Sequence, residues 1–137
     1  MEKIHIESVV RAPVGRVWDL YNKPEHIVNW NAASEDWHTP HASNDLRVGG
    51  TYHARMEARD GSLGFDLIAT YIQVNPGHSF TYQMEDGREV IAQFKPTGSH
   101  TLVSLDFDPE AQNPREMQQQ GWQAILDTFT RYAESLA

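Results

Sequence analysis

The sequence predicts an α+β domain in which a curved antiparallel β-sheet wraps around one long C-terminal helix, with two short helices after the first strand. Three observations carry this. From Pro114 to Ala137 the apolar residues fall at Trp122, Ile125, Leu126, Phe129, Ala133 and Leu136, which is the stripe of a helix. Between Thr51 and Asp108 apolar and polar residues alternate as in strands, interrupted by Asp-Gly and Pro-Gly turn signals. Near the start, Pro13 and Pro24 each stand where a helix can begin. A long helix behind a run of antiparallel strands needs a sheet to lie on, and a curved sheet leaves room for a pocket between the two.

In chain order, Ile4, Ile6 and Ser8 alternate with His5, Glu7 and Val9 in a first strand closed by Ala12-Pro13. Val14, Val17, Trp18 and Tyr21 give a short helix with one apolar face. Asn22-Lys23-Pro24-Glu25 breaks it and starts another, with Ile27, Val28 and Trp30 inward. Asn31 to Asp45 is rich in Asn, Ser, His and Pro and is expected as a loop, although it carries Trp37. Five strands are then expected as a meander. In Thr51–Glu57, Tyr52, Ala54 and Met56 share a face. In Leu63–Val74, Phe65, Leu67 and Tyr71 oppose Ile68, Ile72 and Val74. Ser79–Glu85 places Phe80, Tyr82 and Met84 in phase, and Glu89–Lys95 does the same for Val90, Ala92 and Phe94. His100–Asp108 aligns Thr101, Val103, Leu105 and Phe107. The sheet so assembled has about six strands, a common size. No repeat, linker or second domain is visible, so residues 1–137 are expected to form one domain.

Composition narrows the function. The chain has 137 residues and a formal net charge of −8, with its 11 Lys and Arg scattered. Nucleic acid and anionic membranes call for clustered cations, so neither is expected as a partner. With no cysteine, disulfides, thiolate catalysis and Cys-bound metal are excluded. No apolar run approaches the ~20 residues of a membrane span, and no signal-peptide core precedes Val10, so a cytoplasmic location is expected.

The order of elements and its punctuation resemble the START-like, or helix-grip, superfamily. Within it, the chain resembles the family named after the C-terminal domain of the activator of the Hsp90 chaperone ATPase. The matching residues are Ala12-Pro13 with Val17-Trp18, Pro24-Glu25-His26 leading to Trp30, Asp45-Leu46-Arg47-Val48-Gly49-Gly50, Asp60-Gly61 and Val74-Asn75-Pro76. Gly98 with Thr101, and Gly121-Trp122 with Ile125-Leu126, complete the set. The chain departs from many relatives at Asn29-Trp30-Asn31-Ala32, where they carry Trp-Trp-Gly-Pro; that region borders the cavity mouth in the family. The resemblance implies the fold and a cavity. It does not imply one activity, because the superfamily spans lipid carriers, hormone-binding proteins, cyclases and chaperone activators.

The expected function is binding of a small hydrophobic or aromatic molecule, such as a lipid or polyketide, between sheet and helix. Trp30, Trp37, Tyr52, Met56, Phe65, Tyr82, Phe94, Trp122 and Phe129 are its expected walls, each weighed against plain core packing. Trp30 and Trp37 stand out because they lie in or beside a polar loop. His38, next to Trp37, and Tyr82 are candidates for polar orientation. His38 and His41 form a His-x-x-His pair with no third ligand, so no metal site is expected, and no cofactor. Asp66, His53 and Arg55 have outward parity and are expected at the surface. Gly49-Gly50 follows no strand and opens no helix, so it is turn chemistry and no phosphate loop. No nucleophile and base stand together, so no catalytic residue is nominated. A cyclase, dehydratase or hydrolase using the same cavity is the alternative. A chaperone-binding module ranks below it, because the separate N-terminal domain of such activators is not seen in the sequence. The chain is expected as a monomer or a homodimer joined through an edge strand.

Overall fold

The fold comes from a computed structural model that describes residues 2–136. Met1 and Ala137, the outer limits of the expected first strand and last helix, lie outside the described residues. The elements are β1 (Ile4–Val10), α1 (Val14–Asn22), α2 (Pro24–Trp30), β2 (Trp37–Asn44), β3 (Thr51–Ala58), β4 (Gly64–Asn75), β5 (Ser79–Met84), β6 (Glu89–Thr97), β7 (His100–Phe107) and α3 (Arg115–Ser135). The strands form one antiparallel sheet in the order β1-β7-β6-β5-β4-β3-β2, curled into a half-barrel. β1 closes against β7, and from β7 back to β2 every strand pairs with its sequence neighbour.

Two readings of the sequence need correction. Trp37 to Asn44 is not loop but β2, the strand at one edge of a sheet of seven. It shows no clean alternation because side chains fasten it as well as the ladder. The Thr39 hydroxyl donates to the Asn31 carbonyl at 2.7 Å, and the Asn44 amide donates to the Asn22 carbonyl at 2.8 Å. Its pairing with β3 shifts between His38 and His41, and Pro40 sits inside that irregularity. Proline lacks the N–H of a regular ladder and is tolerated at such an edge. The second correction concerns β4. Its register against β5 shifts between Tyr71 and Gln73, so one residue is extra and the parity of the rest of the strand is reversed. Val74 therefore pairs with Phe80 and packs on the core with Tyr71, while Ile72 is left 46% exposed.

Inside the curl the core holds Ile4, Ile6 and Val10 of β1, Val17, Trp18 and Leu20 of α1, and Phe80, Phe94 and Phe107 of the middle strands. α3 adds Leu126, Phe129 and Ala133; Leu136 lies past its end and is exposed. The helix is seated on the β1 side of the sheet. The Trp122 ring stacks on Phe107 with centroids 4.0 Å apart. The side-chain amides of Gln119 and Gln123 donate to the His5 and Glu7 carbonyls, and the Arg115 guanidinium donates to those of Glu2 and Lys3. His5 and Glu7 belong to β1, the edge strand, and Glu2 and Lys3 directly precede it. A helix fastened at one margin of a half-barrel cannot also fill the concavity under the opposite strands.

Candidate functional site

The space left by that placement is a cavity of about 230 Å³. α3 supplies Trp122, Ile125 and Leu126, and the short helices supply Tyr21 and Trp30, with Asn31 just beyond α2. The sheet contributes Tyr52 and Met56 from β3, Phe65 and Leu67 from β4, Tyr82 and Met84 from β5 and Leu105 from β7. Arg88, in the turn between β5 and β6, stands among these walls. Strand alternation explains the sheet residues: each is an inward position of its strand.

Of the residues nominated from sequence, Trp30, Tyr52, Met56, Phe65, Tyr82 and Trp122 stand together on the cavity wall. Phe94 and Phe129 do not line it. They pack behind it, Phe94 edge-on to Trp18 and Tyr21 at 5.1 and 5.3 Å, and Phe129 edge-on to Tyr21 and Trp30 at 5.0 Å each. Trp37 and His38 line a separate, shallower depression with Arg59, Arg131, Thr39 and Thr128. Trp30 and Asn31 form the partition between the two concavities. The Trp37 ring also packs 6.1 Å from Phe65. His38 Nε2 lies 3.9 Å from a Glu57 carboxylate oxygen.

Sequence reasoning did not nominate Tyr21, Leu67, Met84, Arg88, Leu105, Ile125 or Leu126 as walls. For most a signal existed, because Leu67 and Met84 are in phase with Phe65 and Tyr82, and Tyr21 lies on the apolar face of α1. For Arg88 there was none, since its sequence context is only that of a turn.

The polar groups in and behind the cavity walls divide into paired and unpaired ones. The Trp30 indole N–H donates to the Leu20 carbonyl at 3.0 Å, and the Tyr71 hydroxyl behind the wall donates to Asn44 Oδ1 at 2.7 Å. The hydroxyls of Tyr21, Tyr52 and Tyr82 have no hydrogen-bond partner among the described residues, and none is sealed from the cavity. Burial pushes the pKa of all three above that of an ordinary phenol, so they are protonated at neutral pH. The Tyr52 and Tyr82 rings stack with centroids 5.5 Å apart, bringing two such groups side by side.

On the convex side, Asp66 accepts hydrogen bonds from His53 Nε2 at 2.8 Å and from Arg55 at 3.1 Å. These contacts hold its carboxyl below the usual range. The three residues face outward as their parity requires. Among the described residues no group of three or more His, Asp or Glu side chains is placed to hold a metal ion. No helix among them is long and apolar enough to cross a membrane.

The family described as Activator of Hsp90 ATPase homolog 1-like protein matches residues 11–134. The chain belongs to this family. Solved structures agree with it over nearly the whole chain. The protein is 43% identical to the AHSA1-like protein of Aeromonas hydrophila, with a TM-score of 0.92 over 98% of this chain and 93% of that one. It is 46% identical to a protein from Cytophaga hutchinsonii, with a TM-score of 0.84 and the same coverage. A protein from Chromobacterium violaceum shares the fold at 21% identity, with a TM-score of 0.86 over 98% of this chain and 99% of that one. Comparison with curated proteins gives no match. The helix-grip fold of the Activator of Hsp90 ATPase homolog 1-like family thus frames a cavity whose walls are this chain's own.

Proposed function

We propose that this member of the family binds a small aromatic or apolar molecule, non-covalently, in the cavity between α3 and the sheet. The observation that carries the reading is the trio of tyrosine hydroxyls, on Tyr21, Tyr52 and Tyr82, facing a largely apolar space without a protein partner among the described residues. Each hydroxyl opens onto the cavity, so an occupant that supplies an acceptor gains a hydrogen bond worth about 0.5–1.5 kcal/mol net. Apolar walls with a few convergent polar groups are the usual make-up of a ligand site.

Volume restricts the occupant. An engineered cavity of about 150 Å³ accommodates benzene. The present 230 Å³ suits one or two fused rings better than a long-chain lipid. The tyrosines are held protonated, which suits them to orient a ligand and not to abstract its protons.

The test is an amide NMR titration of labelled protein with 2-naphthol. Shifts concentrated on Trp30, Tyr52, Met56, Tyr82 and Trp122, with a dissociation constant between about millimolar and micromolar, are expected. Shifts confined to the depression at Trp37 and His38, or none at all, would refute the reading.

A further inference from the structure

The occupant proposed above has a definite charge, which depends on the binding reading being right. Among the described residues Arg88 is the one ionised side chain in the cavity walls; no Asp, Glu or His of theirs lines the space. Its position is fixed. Asp86 Oδ1 accepts from the Arg88 backbone N–H at 3.1 Å, Asp86 Oδ2 accepts from Nε at 2.7 Å, and the Arg88 carbonyl accepts from the Met84 N–H at 2.7 Å. The side chain is partly covered, at 29% exposure. With Nε taken by Asp86, the two terminal nitrogens make no hydrogen bond to any described residue. Guanidinium nitrogens only donate. The tyrosine hydroxyls deeper in the cavity are also protonated donors.

A site that offers a cation and several donors, and no carboxylate, recognises a ligand that brings acceptors and negative charge. Aromatic walls would otherwise suit an ammonium by cation–π attraction, but the Arg88 charge at the same wall opposes a cation. We infer that the cavity takes a small aromatic carboxylic acid in its ionised form, the ring between Trp122 and Tyr82 and the carboxylate on the free end of Arg88. The terminal pair of N–H groups matches the spacing of the two carboxylate oxygens. Asp86 on Nε, and Glu110, whose carboxyl is held low in part by the Arg88 charge, neutralise part of that charge, so the preference is moderate. It also weakens as salt screens the exposed part of the pair.

Three probes share one ring system: 2-naphthoate, 2-naphthamide as its neutral isostere, and 2-naphthylmethylammonium. Dissociation constants are measured by amide NMR at pH 7.5 on the wild type, R88Q, R88K and D86N. The naphthoate is expected to bind about tenfold or more tighter than the amide, the ammonium weakest. R88Q removes the difference between acid and amide, and R88K retains part of it. D86N, which frees the guanidinium from its competitor, tightens the acid a few-fold and leaves the amide unchanged. Equal binding of acid and amide to the wild type, or a preference that survives in R88Q, overturns the inference while the cavity reading stands. So does tightest binding by the ammonium. Failure of all three probes to shift the cavity residues overturns both. Should R88Q fail to give the wild-type spectrum, the D86N comparison decides alone: tightening limited to the acid supports the inference, and equal effects on acid and amide sink it.

Discussion

Tyr71 and Tyr82 face each other across β4 and β5, and removing the same oxygen from each has opposite expected consequences. The Tyr71 hydroxyl donates to Asn44 Oδ1 at 2.7 Å, tying β4 to the edge strand β2. Tyr71→Phe forfeits that bond, worth about 1 kcal/mol net, and leaves the Asn44 oxygen unpaired, for a total of about 1–2.5 kcal/mol. The 137 residues, at about 2.1 cal/mol/K each, give an unfolding entropy near 0.29 kcal/mol/K, so Tm falls by about 3–9 °C. The Tyr82 hydroxyl has no partner to lose among the described residues. Its removal relieves an unpaired polar group, and Tyr82→Phe is expected to leave Tm unchanged or raise it by up to about 3 °C. The same change weakens 2-naphthol binding by about two- to tenfold, the worth of one neutral hydrogen bond. Thermal unfolding followed by circular dichroism, with the NMR titration on the same samples, measures both. If Tyr82→Phe costs as much stability as Tyr71→Phe, the hydroxyl has a structural partner and the reasoning about the cavity fails.

Phe129 is fully buried between Tyr21 and Trp30, so Phe129→Ala should cost about 3–5 kcal/mol in urea unfolding; a loss under about 1 kcal/mol would contradict its place behind the wall. Gly121 lies inside α3 with open space where a Cβ would go, so Gly121→Ala should stabilise by about 0.5–1 kcal/mol on the same assay. Gly50→Ala drives a Cβ into the Asp45 carbonyl and should destabilise by more than about 2 kcal/mol, a result reversed only if that turn can shift freely. Stability should also fall on both sides of a pH plateau. The carboxyls of Asp66, Asp108 and Glu134 are held low by His53, Lys3 and Arg11 respectively, so their contributions are present above about pH 4.5 and lost as acid is added. His5, bonded to Glu7 and Asp106, has a raised pKa; its contribution is complete below about pH 6.5 and lost as pH rises through the folded-state value. Tm measured against pH should therefore lose its alkaline-side slope in His5→Gln, and a slope that persists assigns it elsewhere.

How much of this was legible in the sequence depended on what held each element. β3 and β5 alternate with one face inward, so Tyr52, Met56 and Tyr82 follow from strand parity, while Trp122 follows from the apolar stripe of α3. β2 was not legible. Its eight residues carry two histidines, two amide or hydroxyl anchors and Pro40, and its bonds run to distant backbone carbonyls that no local pattern announces. Trp37 stood out as an aromatic in need of cover, and the Phe65 ring packs 6.1 Å from it. The extra residue at Ile72 reversed the parity of Val74, a shift that depends on the partner strand. Phe94 and Phe129 have the same apolar periodicity as true wall residues; only the depth at which α1 packs separates core from lining. Arg88 read as a turn residue because its place in the cavity wall depends on tertiary packing that no local pattern announces.

The way α3 is fastened has a consequence for how the molecule fails. At the β2 margin, Pro40 and the broken register spoil the template another strand would need. At the β1 margin the protection is borrowed: the carbonyls of Glu2, Lys3, His5 and Glu7 are occupied by Arg115, Gln119 and Gln123 of α3. The same helix, through Trp122, Ile125 and Leu126, is one wall of the cavity. Lifting α3 therefore empties the cavity and uncovers an adhesive strand in one event. Whatever holds the helix down also guards the chain against stacking on its neighbours.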